Sequence, residues 1–268
     1  MKLSASIVIY NATPDQTVRS ILGSPLTEKL WLIDHSPISL VDALPAMDSR
    51  AEYLFNPANP GYGASHNRAM RMSISAGFDF HLVLNPDVYF DPGILETLVV
   101  FMEQNPDVGL VMPKVLHPSG ELQYLCKLLP SPADVFGRRF CPRGRRFHKR
   151  NKKYELRFTG YDRVMDVPYL SGCFMLLRNA AIEKVGMFDE RFYMYFEDTD
   201  LSRRMHREYR TVYYPHVFIY HEHQKDSYRS LRLLGIHIVS AVKYFSKWGI
   251  IDPERKKINT AVLGRLNY

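Results

Sequence analysis

Two polar stretches in this 268-residue chain, one with a single carboxylate and one with three, are placed where a reaction could use them. The first is Asn85-Pro86-Asp87, which follows the short apolar run at residues 82–84. Pro86 cannot donate to a sheet ladder and holds Asn85 extended, so Asn85 and Asp87 are expected to project together from the carboxyl end of a buried strand. A carboxylate at that edge is a candidate ligand for Mg²⁺ or Mn²⁺, ions that fill their other positions with phosphate oxygens and water; the implied ligand is a diphosphate. The plainer reading is a turn, since Asn, Pro and Asp are common turn residues. The second cluster is Glu197, Asp198 and Asp200, in the expected first turn of a helix, just after the aromatic-rich residues 192–196. A helix N-terminus favours ionised carboxylates, which makes this a place for a general base and equally a place where acids merely stabilise the helix. The aromatic block is expected to wall a sugar site.

Further candidates stand at other strand ends. Asp34 follows residues 30–33 and either accepts hydrogen bonds from a nucleobase or ribose or forms a turn ahead of Ser36-Pro37. In residues 56–68, Gly61 and Gly63 would let the backbone approach a ligand, while Asn59, Ser65, Asn67 and Arg68 would offer donors to sugar or phosphate oxygens. The spacing matches neither the dinucleotide-binding nor the P-loop pattern, and turn chemistry alone would also account for it. His221 and His223 alternate at the end of another run, as a metal or diphosphate site or as an exposed loop pair.

The elements that must position these groups follow from periodicity and punctuation. Strands are expected at residues 6–10, 30–33, 52–55, 82–84 and 108–112. Helices between them, at about 14–22, 64–76 and 91–104, predict a mainly parallel, doubly wound α/β sheet. Later come a strand at 171–178, a helix at 179–186, a helix from 197, strands at 211–214 and 217–220 split by Pro215-His216, and an amphipathic helix at 229–248 that packs on the core or lies on a membrane. Hydrophobic content of 46% and charged content of 24% are those of an ordinary globular protein. The net charge of +7 favours an anionic partner. Residues 138–157 hold ten Lys or Arg against the single acid Glu155, suited to a solvated segment or to one that meets membrane phosphates or a lipid diphosphate. No nucleic-acid-binding signature accompanies them, so nucleic acid is not an expected partner. The odd set Cys126, Cys141 and Cys173 lacks zinc spacing and suggests a reducing compartment. No stretch approaches the length of a membrane span, and a cytoplasmic location is expected.

Taken in order, residues 6–11, Asp34, residues 59–63, Asn85-Pro86-Asp87, residues 171–175 and residues 196–201 resemble the family 2 glycosyltransferases of the GT-A fold, and among them the bacterial rhamnosyltransferases of O-antigen and related polysaccharides. The resemblance runs from residue 6 to about 248. It implies an inverting transfer from a nucleoside-diphosphate sugar, dTDP-β-L-rhamnose, to a lipid-linked saccharide at the cytoplasmic face of the inner membrane, where the protein would be peripheral. By that resemblance Asp198 is the general base and Asp87 holds the divalent metal, with His221 or His223 as a further ligand. Tyr10, Asn11, Asp34, Asn59, Gly61, Gly63, Asn67, Arg68 and Asn85 bind the nucleotide sugar, and Gly172, Cys173, Glu197 and Asp200 meet the acceptor. Asn85 departs from the family's Asp-x-Asp pattern by putting a neutral amide in its first position.

The expected organisation is a GT-A domain over residues 1–225, with a nucleotide-sugar half at 1–112 and an acceptor half at 113–225, followed by a helical extension at 226–268. A homodimer is one option for assembly. The competing readings are a UDP-hexose donor on the same fold, a nucleotidyltransferase, and a non-catalytic module for anionic surfaces.

Overall fold

The apolar runs fold as their patterning predicts. The computed structural model describes residues 1–43, 48–140, 145–222 and 230–268. In chain order the elements are β1 (Leu3–Ile9), α1 (Asp15–Leu22), β2 (Thr27–Asp34), β3 (Ala51–Phe55), α2 (Tyr62–Ser75), β4 (Phe80–Leu84), β5 (Val88–Tyr89), α3 (Ile94–Gln104), β6 (Val108–Leu116), β7 (Cys126–Lys127), α4 (Pro132–Phe140), α5 (Arg145–Tyr154), β8 (Met165–Asp166), β9 (Tyr169–Leu170), β10 (Phe174–Arg178), α6 (Asn179–Val185), α7 (Glu197–Glu208), β11 (Arg210–His221), α8 (Leu231–Trp248) and α9 (Pro253–Arg265).

The main sheet has the order β3-β2-β1-β4-β10-β6-β11-β5, with β8 paired to β11. β1, β2, β3 and β4 run parallel, as do β6 and β11, whereas β10 is antiparallel to both β4 and β6. The consequence for the site is direct. An antiparallel strand wedged between β4 and β6 brings its beginning to the edge where the parallel strands end, so residues 171–173 meet Asn85. β11 brings its last residue, His221, to the same edge, opposite Val88 of β5. The chain order reverses at β1, and the crevice beyond β1 and β4 is the switch point where open α/β sheets bind ligands.

β1 alternates Leu3, Ala5, Ile7 and Ile9 with Ser4 and Ser6, all buried but Val8. The serines are satisfied by a polar ladder inside the sheet. Ser4 Oγ lies 2.8 Å from His81 Nδ1 and 2.7 Å from Ser73 Oγ, and Ser6 Oγ lies 2.8 Å from His81 Nε2 and 2.7 Å from His66 Nδ1. Burial presses the His81 imidazole down to about 3, so it stays neutral.

Two features differ from the sequence-based expectation. Residues 211–214 and 217–220 belong to one twelve-residue strand, β11, which absorbs Pro215, His216 and Val217 as an irregularity in its register: Tyr214 pairs with Pro113 and Phe218 with Lys114. The basic segment forms α5 over part of its length, against α4; residues 141–144 lie outside the described residues. β10 and β11 complete the main sheet, and Val262 and Leu266 of α9 join its core.

Candidate active site

The edge shared by β4, β10 and the start of α7 gathers most of the expected chemistry. Asn85 donates its backbone N–H to the Cys173 carbonyl at 3.0 Å, and Val88 closes the turn by donating to the Asn85 carbonyl at 3.4 Å. Thr17 of α1 donates to the Pro86 carbonyl at 2.7 Å. Residues 85–87 are therefore both a turn and a platform, with Asp87 half-buried at its rim.

Asp198 is held from three sides. Its Oδ1 accepts from the Thr199 N–H at 2.7 Å, and its Oδ2 accepts from the Gly172 N–H at 2.9 Å and lies 3.4 Å from the Tyr169 hydroxyl. A Cβ at Gly172 would come within 3.2 Å of the Asp198 Cβ, so the close approach depends on that glycine. Just before the helix, Tyr195 and Phe196 both take φ of 70°, a left-handed conformation costly for side chains of this size and maintained only where surrounding packing imposes it.

Tyr62 links the two clusters. Its hydroxyl donates to the Gly172 carbonyl at 2.8 Å and lies 3.1 Å from Asn85 Oδ1. Burial, reinforced by the neighbouring acidic groups with Asp198 and Asp87 among them, pushes this phenol well above its ordinary range, so it keeps its proton for donation. Burial likewise pushes the Cys173 thiol up to about 12, against a hydrogen bond from Ser171 and with Asp87 and Asp198 adding to the rise, which makes it a wall rather than a nucleophile. Glu197 is buried at the same junction. Burial and the neighbouring Asp198 charge raise its carboxyl well above the usual range, and its Oε2 has no hydrogen-bond partner among the described residues. The Glu197 carboxyl beside Asp198 is thus biased toward its protonated form.

At the other end, His221 is buried and its Nε2 lies 3.4 Å from Asp87 Oδ1 and 3.5 Å from Asn85 Nδ2. His223 lies outside the described residues.

Several expected ligand residues also make bonds within the protein itself. Gly61 has φ of 104°, and a Cβ there would fall 2.3 Å from the Tyr193 carbonyl oxygen; one at Gly63 would fall 2.9 Å from the Phe188 Cβ. These glycines admit residues 188–193. Asn67 is buried and closes the same contact, donating to the Phe188 carbonyl and to Glu190 and accepting from the Phe188 N–H, each at 2.9 Å. Arg68 is exposed and close enough to Glu52 to help hold that carboxyl low, behind Lys29, its main partner. Asp34 is buried at the end of β2, accepting from the Ser36 N–H at 2.8 Å, the Leu40 N–H at 3.0 Å and the Tyr53 hydroxyl. It braces the loop after β2, while Asn11 donates its N–H to Ser36 Oγ at 2.8 Å and Tyr10 stands exposed beside it. Asn59, at φ of 43°, is part of the turn that leads to Gly61. Asp200 is the clearest correction. Two positions along the helix from Asp198 it faces the interior, fully buried, bonded to Arg204 at 2.8 Å, Trp248 Nε1 at 2.9 Å and Lys247 at 2.7 Å. In the aromatic block, Phe192 and Phe196 pack against Ala241, Tyr244 and Phe245 of α8.

Tyr62, Tyr169 and Gln123 complete the site without having been singled out from the sequence. Tyr62 stood inside the Asn59–Gly63 run, where its glycine neighbours drew the attention, and Tyr169 stood three residues before Gly172. Nothing local marked Gln123.

Comparison with known proteins places the family and the fold. The family described as "Glycosyltransferase like family 2" matches residues 38–235. The N-acetylglucosaminyl-diphospho-decaprenol L-rhamnosyltransferase of Mycobacterium tuberculosis is 32% identical over 178 residues, which cover 61% of this chain and 56% of that protein. The chain thus matches little more than half the length of this curated relative. Among solved structures, GalNAc-T7 with UDP, GalNAc and Mn²⁺ superposes with a TM-score of 0.60 at 13% identity, covering 82% of this chain and 43% of that one. The mannosyltransferase PcManGT from Pyrobaculum calidifontis, in complex with GDP-Man and Mn²⁺, gives 0.55 at 14% identity, covering 90% and 64%. The fold is that of the GT-A glycosyltransferases, and with the family matched over well over half its length the chain belongs to the family 2 glycosyltransferases.

Proposed function

We propose that this enzyme transfers L-rhamnose, with inversion, from dTDP-β-L-rhamnose to a lipid-linked saccharide during synthesis of a bacterial surface polysaccharide such as O-antigen or capsule. The observation that carries the transfer chemistry is Asp198, fixed by the N–H groups of Gly172 and Thr199 and linked through Gly172 and Tyr62 to the platform at Asn85. A base at one end and a diphosphate platform at the other suit a single displacement: Asp198 takes the acceptor hydroxyl proton as the oxygen attacks the anomeric carbon, and no covalent intermediate is needed. The rhamnosyl donor and lipid-linked acceptor are supported by the name of the mycobacterial relative.

The residues at the strand edge fit a divalent ion. Asp87 Oδ1 and His221 Nε2 are two donors 3.4 Å apart, and among the described residues no cluster of three His, Cys, Asp or Glu encloses a metal by protein alone. One carboxylate and one imidazole, with phosphate oxygens and water to complete the shell, suit Mg²⁺ or Mn²⁺. When bound, such an ion supplies positive charge to the departing diphosphate. Asn85, engaged by Tyr62, would orient the sugar-phosphate. Asp34 and the loop it braces, with Tyr10 and Asn11, would shape the nucleoside end, while Gly172 and Cys173 would present backbone to the acceptor.

A peripheral position on the cytoplasmic face of the inner membrane is part of the same reading. It is supported by the basic face of α5, with Lys149, Lys152 and Lys153, and by the exposed Leu231, Val239 and Val242 of α8. Among the described residues no helix is long and apolar enough to cross a membrane. Failure to bind anionic liposomes at low salt would remove that part.

The deciding experiment is transfer or donor hydrolysis screened over dTDP-rhamnose, UDP-glucose, UDP-galactose and GDP-mannose with Mg²⁺ or Mn²⁺, comparing wild type with Asp198→Asn. Turnover of dTDP-rhamnose that falls by about 10³ in the variant, with donor affinity retained, is the expected result. Preference for a UDP-hexose would replace the donor, and full activity in Asp198→Asn would remove the base.

A further inference from the structure

Gln123 follows the end of β6 and is buried. Its Nε2 lies 2.7 Å from the His221 carbonyl oxygen, 3.3 Å from the Leu116 carbonyl oxygen and 3.1 Å from His117 Nδ1. Two of these partners are backbone carbonyls, which can only accept, so the amide group is fixed with its NH₂ toward them. The carboxamide oxygen is then the atom that faces His221 Nδ1, at 3.0 Å. An oxygen can only accept there, so His221 Nδ1 must carry the proton. In the neutral ring the second nitrogen, Nε2, is then a lone pair, and it is the nitrogen beside Asp87 Oδ1 and Asn85 Nδ2.

From this geometry we infer that Gln123 is a positioning residue: it holds His221 in the Nδ1–H tautomer so that Nε2 and the Asp87 carboxylate converge as electron-pair donors on one divalent cation. The inference rests on the metal reading of Asp87 and His221 given above and adds the device that prepares the imidazole for it. Gln123 also anchors the backbone of the residue it orients, through the His221 carbonyl. The ring can neither flip nor change tautomer without breaking bonds to two elements, because Gln123 is itself tied to the end of β6 at Leu116. A hydrogen bond to the far nitrogen of a metal-binding imidazole commonly controls metal affinity by 10- to 100-fold.

The test combines long-range ¹H–¹⁵N spectra of histidine-labelled protein with Mn²⁺ titration by electron paramagnetic resonance, on the whole chain, with and without dTDP. Wild type is expected to show His221 protonated at Nδ1. Gln123→Leu should show a tautomer mixture, with the Mn²⁺ Kd raised about tenfold or more. Gln123→Asn withdraws the amide by one methylene and is the gentler break should the leucine variant fold poorly, with the same direction expected. Gln123→Glu keeps an acceptor oxygen facing Nδ1 and should keep the wild-type tautomer. A wild-type ring protonated at Nε2, or leucine and asparagine variants that retain both the tautomer and the Mn²⁺ affinity, would overturn the inference. Equal Mn²⁺ binding by wild type and His221→Ala would instead sink the underlying metal reading, an outcome the tautomer spectra register separately.

Discussion

The segment at residues 56–67 and the turn at residues 85–87 begin from the same circumstances. Each follows a parallel strand of one sheet, each opens with Asn-Pro, and each lies at the sheet edge that faces the cleft. Their fates differ. The first is filled by the chain itself: the Tyr193 backbone sits over Gly61, Phe188 over Gly63, and Asn67 ties that segment down with three hydrogen bonds. The second is braced from behind by Thr17 and Cys173 and presents Asp87 at its rim. A glycine records that something comes close, and here what comes close is protein. Polarity at a strand end marks a functional edge only when the opposing element leaves room for a ligand.

Substitutions that separate the two loops put this contrast at risk. The largest effect is expected from Asp87→Ala, with kcat/KM lowered by about 10³ as several kcal/mol of charge stabilisation at the diphosphate is lost. Urea denaturation should meanwhile remain close to wild type; activity within a factor of ten of wild type would place the diphosphate elsewhere. Gly61→Ala should do the reverse and cost about 3 kcal/mol of folding stability, from the left-handed φ together with the collision at the Tyr193 carbonyl. A loss below about 1 kcal/mol would mean that residues 188–193 can move aside, leaving room for a ligand after all. Asn67→Ala is expected to cost about 2 kcal/mol through the Phe188 and Glu190 bonds, with donor KM unchanged; a raised KM would return Asn67 to the nucleotide-sugar site. The smallest effect belongs to Glu197→Gln. The fold raises the Glu197 carboxyl above its ordinary 4.5, so the native state binds the extra proton and stability drains away as pH rises above that value. The variant should therefore melt higher than wild type at neutral pH, with the gap closing toward pH 4.5. A constant gap across that range would show that Glu197 is not held neutral.

How much of this was legible beforehand depended on whether the deciding contact was local. The alternating strands and helices up to residue 112 were readable because short apolar runs and their Gly and Pro stops are local properties, and Asp87 and Asp198 were readable as carboxylates at element ends. Asp200 was not distinguishable from Asp198, since its partners Trp248 and Lys247 lie more than forty residues away and helical rotation alone turns one carboxylate to the cleft and the other to the core. Pro215 and His216 read as a break because a bulge depends on the register of the neighbouring β6. Gln123 was invisible for the same reason: its meaning resides in the tautomer of a histidine 98 residues downstream.

Arg203, in the middle of α7, is 1% exposed and balanced by Asp252 at 2.6 Å and Glu254 at 2.6 Å, with its guanidinium 3.9 Å from the centre of the Trp248 ring. All three partners come after the whole sheet has been made. Until those partners dock, that cation lacks both its counter-charges and the indole face against it, and burying it unpaired would cost about 3–5 kcal/mol against a marginal fold. The helix bearing Asp198 is thus settled only when the chain at residues 248–254 docks against it.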